Sequence, residues 1–225
     1  IPVLHDDQHG TALVVLAGLI NALRVVKKQA KKVRVVIAGA GAAGTAIAEL
    51  IMLFGVGDVT MLDSQGVLYR GRKGLDKEKK TLTEKTNKAN ISGGLDEALL
   101  GADVFIGVSK GNTVTAKQVA SMAPKSIVFA LANPVPEIMP DIAKQAGAFV
   151  VATGRSDFAN QINNSLGFPG IFRGALDHKV RRITDSMLIQ AAKNLAALVK
   201  QPTPLHIVPD TFDTRVVKAV AKAIR

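Results

Sequence analysis

The chain has 225 residues, 48% of them hydrophobic, which excludes disorder as its main state and leaves enough chain for a hydrophobic core. It contains no cysteine, which excludes a disulfide framework, a thiolate metal site and a thiol nucleophile. Its formal net charge of +11 makes nucleic acid and membrane surfaces candidate partners. The longest apolar stretch, residues 11–23, contains Gly18 and Asn21, and we expect it to be too short to span a bilayer. Because residue 1 is Ile, we also expect a longer parent protein.

Short apolar runs alternate with helical patterns along the first two thirds of the chain. Strands are predicted at 33–38, 59–62, 103–107, 126–131 and 148–152. Helices are predicted at 10–26, 42–54, 76–85, 95–100, 116–122, 140–146, 184–199 and 213–224. Residues 66–94 are polar and basic, and outside the predicted helix they are expected to form a loop.

This alternation predicts an α/β fold of the Rossmann type, a doubly wound parallel sheet with helices on both faces and a helical C-terminal tail. We expect residues 1–183 to form the Rossmann-type domain with its entry helix. Residues 184–225 are expected to form a helical extension packed on that domain.

The sequence GAGAAG at 39–44 has the spacing G-x-G-x-x-G, directly after a predicted strand and at the start of a predicted helix. Its glycines permit a tight turn, a close approach of backbone to a pyrophosphate, and close helix–strand packing. An acid follows 19 residues after the last glycine, at the end of the second strand, as expected for a ribose-binding carboxylate. The predicted cofactor contacts are therefore Gly39, Gly41, Ala42, Ala43, Gly44 and Asp63. The alternative is a glycine-rich turn that packs a helix and binds nothing.

The acid also bears on the choice of cofactor. Asp63 would repel a 2′-phosphate, which favours NAD, with NADP as the second candidate. Arg70 and Arg72 follow closely and could reverse this preference, but we expect both to be solvated loop charges.

Two adjacent carboxylates, Asp6 and Asp7, precede the first helix. One of them could cap the helix and stabilise its dipole, or the pair could supply part of a site for a hard cation, and the sequence favours neither. His5 and His9 are four residues apart, but we expect them to straddle the helix start, which argues against zinc.

Polar residues also follow the later strands, where the carboxyl ends of a doubly wound sheet line the ligand crevice. Ser109 follows the third strand and Asn133 the fourth, and both are expected near a cofactor or ligand. Asn163 and Asn164 precede a glycine-proline segment and a helix, and because we expect neither amide to be needed as a cap, both are predicted to contact a ligand. Turn chemistry is the alternative for each asparagine.

Five ordered motifs, spread over essentially the whole chain, together resemble the bacterial malic enzymes. They are HDDQHGTA at 5–12, GAGAAG at 39–44, ALANPVPE at 130–137, TGRSDF at 153–158 and NNSLGFPG at 163–170. The resemblance covers the NAD(P)-binding domain and the C-terminal tail of such an enzyme. It implies oxidation of malate and decarboxylation to pyruvate, with NAD or NADP and with Mg²⁺ or Mn²⁺.

The resemblance also implies roles for individual residues. Asp7 would be a metal ligand and Asp6 would tune the catalytic base, while Asn133 and Asn164 would contact the substrate. The family's catalytic Lys and Tyr and its remaining metal ligands lie in an N-terminal domain that we expect to be missing here, so we expect the chain alone to be inactive. A homo-oligomer, such as a dimer, and a cytoplasmic location are implied as well.

Two alternatives remain. A malolactic enzyme would use NAD and Mn²⁺ but release lactate. A basic Rossmann module that binds nucleic acid would account for the charge, but aromatic residues are only 4% of the chain and no nucleic-acid motif is present. We therefore expect neither nucleic acid nor a membrane as a partner.

Overall fold

A computed structural model describes residues 3–225 and shows one six-stranded sheet between layers of helices. The strands are β1 (Arg34–Ala38), β2 (Asp58–Asp63), β3 (Gly66–Val67), β4 (Val104–Gly107), β5 (Ile127–Ala130) and β6 (Val150–Thr153). Their order is β3-β2-β1-β4-β5-β6, and every neighbouring pair except β2–β3 is parallel. The Rossmann-type fold class is therefore confirmed.

The helices alternate with these strands and then continue alone. They are α1 (Thr11–Val26), α2 (Ala42–Phe54), α3 (Lys77–Lys85), α4 (Leu95–Leu99), α5 (Ala116–Ala120), α6 (Pro140–Gln145), α7 (Phe168–Asp177), α8 (Asp185–Ala197) and α9 (Arg215–Ala221). One π-helical turn, Asp6–Gly10, leads into α1, and short 3-10 turns lie at Ala30–Lys32 and Asn164–Leu166.

The sheet departs from the predicted, wholly parallel one at its edge. The loop expected after β2 instead turns back at once, so that Leu62 pairs with Val67 and Asp63 with Gly66 in an antiparallel register. Gly66 has a φ of 113°, which favours glycine and permits this turn. A strand of two residues is too short to give a hydrophobic alternation, which is why the sequence pattern does not show it.

Both faces of the sheet are covered, because alternate residues of each strand enter different apolar layers. Val35 and Ile37 pack with α1, α2 and α8, whereas Val36 packs on the other face with α4, α5 and α6. This explains why the central strands read as continuous apolar runs rather than alternating ones.

Helix α1 is the most deeply buried of the three helices that pack with Val35 and Ile37 on one face of the sheet, and it packs against the other two, α2 and α8. With the preceding turn it spans Asp6–Val26, which is long and apolar enough to cross a membrane by length and composition alone, but 72% of its apolar window is buried inside the protein. The side chain of Asn21 within it donates hydrogen bonds to the carbonyls of Ala196 in α8 and Ile207 in the segment after α8, which ties this part of the chain to the core. A domain boundary at residue 183 stays a prediction.

Candidate functional site

The crevice lies where the order of the strands reverses. The chain passes from β1 outward to β2 and β3 and then returns to place β4 on the other side of β1. In sheets of this type, ligands bind outside the carboxyl ends of the strands at that point. A cleft of about 1110 Å³ opens there, and its lining includes the predicted residues Gly39, Gly41, Asp63 and Ser109. Within residues 3–225, the predicted Ala42, Ala43, Gly44 and Asn133 lie outside this lining.

The three glycines of the G-x-G-x-x-G motif have different roles in the structure. Gly39 has a φ of 122°, and a Cβ there would lie 2.7 Å from the carbonyl oxygen of Val108. A Cβ on Gly44 would overlap the carbonyl oxygen of Gly39, because α2 packs directly on the turn. At Gly41, which faces the cleft, no atom of residues 3–225 beyond its chain neighbours lies within 4 Å of the ideal Cβ position. Gly39 and Gly44 are thus required by the fold, whereas Gly41 keeps space open in the cleft.

The N-terminus of α2 carries free hydrogen-bond donors beside this loop. Its N-cap residue is Gly41, which has no side chain to cap the first turn, where Ala42 and Ala43 lie. Uncapped N–H groups and the positive end of the helix dipole favour an anion such as a phosphate.

Asp63 ends β2 at the far side of the cleft and is held by three donors. Its carboxylate accepts hydrogen bonds from Arg72 Nη2 at 2.7 Å, Lys79 Nζ at 3.1 Å and the backbone N–H of Gln65 at 2.9 Å. Burial alone raises the pKa of Asp63, but these hydrogen bonds outweigh it and hold the pKa below its usual value. The carboxylate is therefore ionised and already paired with two cations.

This pairing corrects the expectation that both nearby arginines are solvated loop charges. Arg70 is exposed, but only 9% of the Arg72 side chain is accessible to solvent. Arg72 also donates to the carbonyls of Gly66 and Val67, which holds it against the β2–β3 turn at the edge of the cleft. The unpredicted strand β3 supplies those carbonyls, so the sequence pattern gave no indication of this contact.

A second cluster joins the acidic pair to the asparagine motif. Asn164 Nδ2 donates to Asp6 Oδ2 at 2.6 Å, although the two residues are 158 positions apart. Asp6 Oδ1 is buried and accepts no hydrogen bond within residues 3–225. Burial and the negative charge of Asp7 raise the pKa of Asp6, and the hydrogen bond from Asn164 partly opposes this.

Neither acid is the N-cap of a helix, but both lie in the first turn of the π-helical segment, where they can stabilise the helix dipole. The N-caps of the π-helical turn and of α1 are His5 and Gly10, and neither has a side-chain cap hydrogen bond. Asp7 is exposed. No group of three or more His, Cys, Asp or Glu side chains within residues 3–225 is arranged to hold a metal ion, so Asp6 and Asp7 supply at most part of such a site.

The expectation that Asn163 is not needed as a cap is wrong. Asn163 does act as a cap, because its side-chain oxygen accepts the backbone N–H of Ser165 at the start of the 3-10 turn. Its amide donates to the carbonyl of Gly154 just after β6, so its hydrogen bonds are structural. Asn164 alone reaches the acidic pair. Helix α7 begins at Phe168, inside the glycine-proline segment and not after it.

Glu137, an acid that is not among the predicted site residues, lies buried beneath the loops after β4 and β5. Glu137 is fully buried, and its carboxylate accepts backbone N–H groups from Ser109 and Ala132, both at 3.0 Å. Ala132 precedes Asn133, which is exposed and joined to Pro134 by a cis peptide bond. The sequence feature that could have indicated Glu137 is its place in the motif ALANPVPE at 130–137, which also contains Asn133.

The family model described as "Malic enzyme, NAD binding domain" matches residues 8–224. The chain belongs to this family. It is 50% identical to the bifunctional malic/malolactic enzyme of Bacillus subtilis, covering all of this chain and 55% of that protein. It is 45% identical to the NAD-dependent malic enzyme of Geobacillus stearothermophilus, again over all of this chain and 47% of that protein. It therefore spans about half the length of these curated relatives.

Solved structures agree with the assignment to the malic enzyme family. The NAD-dependent malic enzyme of Thermotoga maritima superposes with a TM-score of 0.96 at 45% identity, over all of this chain and 59% of that one. The malic enzyme of Pyrococcus horikoshii gives a TM-score of 0.94 at 47% identity, over all of this chain and 54% of that one. The resemblance inferred from the five motifs is thus confirmed, and the chain corresponds to the NAD-binding domain of such enzymes.

Proposed function

We propose that this chain is the cofactor- and metal-binding domain of an enzyme that oxidises malate and decarboxylates it to pyruvate with NAD or NADP. The observation that carries the proposal is the cleft at the strand reversal, lined by Gly39, Gly41, Asp63 and Ser109. An extended dinucleotide fits this arrangement, with its pyrophosphate at the N-terminus of α2 and its adenosine ribose at Asp63. Its nicotinamide half would then lie over the ends of β4 and β5, near Ser109 and Asn133. The bound cofactor supplies the hydride acceptor.

A divalent cation, Mg²⁺ or Mn²⁺, fits the acidic pair as part of its ligand set. Asp7 is exposed, and the neighbouring Asp6 has a buried oxygen that no donor within residues 3–225 reaches. Hard cations take oxygen ligands and are often bound through one or two carboxylates from a segment. The cation supplies polarisation of the substrate's oxygen atoms. Asp7 would hold it, and Asp6, fixed by Asn164, would tune the catalytic base.

The asparagines complete the proposed contacts with malate. Asn133 and Asn164 are neutral hydrogen-bonding groups that orient a dicarboxylate without adding negative charge. In relatives such as the Bacillus subtilis enzyme, 45% of the protein lies outside the matched part. We propose that the catalytic Lys and Tyr and the other metal ligands belong to such a further domain, and that the whole enzyme is a homo-oligomer. A cytoplasmic location stays a prediction.

Asp63 is expected to determine cofactor preference. Asp63→Ala should weaken NAD binding by about 10-fold or more, because a ribose hydroxyl bonded to a carboxylate contributes about 1.5–3 kcal/mol. The same change should strengthen NADP binding, because Arg72 and Lys79 would lose the carboxylate that they neutralise. Calorimetric titration with both cofactors measures the two effects.

Asp58→Ala is the matched control, since Asp58 lies at the opposite end of the same strand and accepts only the backbone N–H of Lys88 within residues 3–225. It should leave both affinities within twofold of the unmodified chain. Unchanged NAD binding in Asp63→Ala would remove Asp63 from the ribose site.

Activity is testable in a chimaera in which this chain replaces the matching 55% of the Bacillus subtilis enzyme. We expect the chimaera to form pyruvate and NADH from malate and NAD, and this chain alone to form neither. An inactive but folded chimaera that binds NAD would argue against the proposed reaction. Turnover by the chain alone would contradict the need for a further domain.

A malolactic activity is the second candidate, and the name of the 50% identical relative, a bifunctional malic/malolactic enzyme, favours it. The same assay distinguishes the two reactions by their products. Lactate without net NADH would indicate the malolactic reaction, and pyruvate with NADH the malic enzyme reaction.

A further inference from the structure

Glu137 is a fully buried carboxylate whose described hydrogen-bond donors are backbone amides. Oε1 accepts from Ser109 N–H and Oε2 from Ala132 N–H. None of the ion pairs in residues 3–225 includes Glu137. Burying a carboxylate without a cation is costly, and burial raises the pKa of Glu137 even though its backbone donors oppose this.

The carboxylate joins two loops that come from neighbouring strands. Ser109 lies just beyond the end of β4 and lines the cleft, and Ala132 lies just beyond the end of β5 and precedes Asn133. Each oxygen binds one loop, so the side chain sets the separation between them. The site is also shaped for it, because a Cβ on Gly107 would overlap the carboxyl carbon of Glu137.

The backbone of the same segment reinforces this connection. The carbonyl of Pro136 accepts the N–H of Asn112 at 2.9 Å, and the carbonyl of Glu137 accepts the N–H of Val114 at 3.0 Å. The loop after β4 is therefore attached to this segment by two backbone hydrogen bonds, and the carboxylate extends the attachment to the residue before Asn133.

We propose that Glu137 is a positioning residue for the nicotinamide half of the dinucleotide site. It holds Ser109 and Asn133 at the separation that this half requires, while the adenosine half depends on Asp63 and the glycine loop. The inference rests on the proposed function, since it assumes that a dinucleotide occupies the cleft. A carboxylate is needed because both of its ends accept hydrogen bonds, whereas an amide presents a donor at one end.

Glu137→Gln tests this, with NAD and ADP as separate probes of the whole site and of its adenosine half. We expect the dissociation constant for NAD to rise at least about tenfold, because one backbone N–H would face the amide nitrogen. The dissociation constant for ADP should stay within twofold. Asp141→Asn, a charge loss at an exposed position in the first turn of α6, is the control and should change neither constant by more than twofold.

If Glu137→Gln weakens the binding of NAD and of ADP equally, Glu137 supports the fold as a whole. If the dissociation constant for NAD is unchanged, Glu137 does not position the nicotinamide half. Either result overturns the inference. If the unmodified chain binds neither probe, the proposed function fails and the inference fails with it. If Glu137→Gln does not fold, hydrogen exchange in the unmodified chain decides. NAD, but not ADP, should slow exchange at the Ser109 and Ala132 amides at least tenfold, and equal exchange with both ligands overturns the proposal.

Discussion

Gly44→Ala is expected to destabilise the whole domain, whereas Gly41→Ala should leave it folded but unable to bind NAD tightly. At position 44 the added methyl group overlaps the carbonyl oxygen of Gly39, which belongs to the rigid turn after β1. Backbone cannot move aside as the end of a flexible side chain can, so we expect a loss of about 3 kcal/mol or more in the free energy of unfolding. At position 41 the methyl group comes within 4 Å of no atom in residues 3–225 other than those of its chain neighbours.

The effect of Gly41→Ala should instead appear in binding, because the methyl group enters the space proposed for the pyrophosphate. One additional carbon in a fitted site costs about 10- to 200-fold in affinity. Urea unfolding and calorimetry with NAD measure the two properties separately. If Gly41→Ala bound NAD as well as the unmodified chain, the dinucleotide would not lie across this loop.

The second large effect is expected in the chimaera with the Bacillus subtilis enzyme. Asp7→Ala should reduce metal-dependent malate oxidation by at least about 100-fold, because loss of a metal ligand removes several kcal/mol of charge stabilisation. NAD binding should change by less than twofold, since Asp7 lies outside the residues that line the cleft within 3–225. Rates are measured over a range of Mn²⁺ concentrations.

The matched control is Asp185→Ala, because Asp185 is also an exposed aspartate in the first turn of a helix. If an acid at such a position only stabilises the helix dipole, both variants should lose about 0.3–1 kcal/mol of stability and keep their activity. Full activity of Asp7→Ala at low Mn²⁺ would therefore support the capping interpretation and remove Asp7 from the metal site.

The strands, most of the helices and the dinucleotide loop could be predicted because their signals are local. The five longer strands have four to six, mainly apolar residues, and the loop follows β1 at a fixed spacing. Strand β3 has only two residues and is stabilised by pairing with β2, which no local pattern shows.

Long-range pairings account for what the sequence did not show at the site. The acid at Asp63 was predicted, but its neutralisation by Arg72 depends on backbone carbonyls that β3 positions. The contact between Asp6 and Asn164 joins two motifs that lie 158 positions apart, and only the fold brings them together. The sequence does not distinguish Glu137 from the other acids, because its contacts with two loops of the crevice depend on the fold.

Two of the basic residues lie in the cleft that is proposed to bind the dinucleotide, which the net charge of +11 by itself does not show. Two cations, Arg72 and Lys79, lie in the cleft around Asp63. We propose that they also face the anionic cofactor, because the single carboxylate of Asp63 balances only one of the two positive charges.

The most direct test of this account is a calorimetric titration of the unmodified 225-residue chain with NAD and with NADP. We predict saturable binding of one equivalent of NAD per chain, and its loss in Gly41→Ala. Absence of binding by either cofactor to the folded chain would contradict the assignment of the cleft as a dinucleotide site.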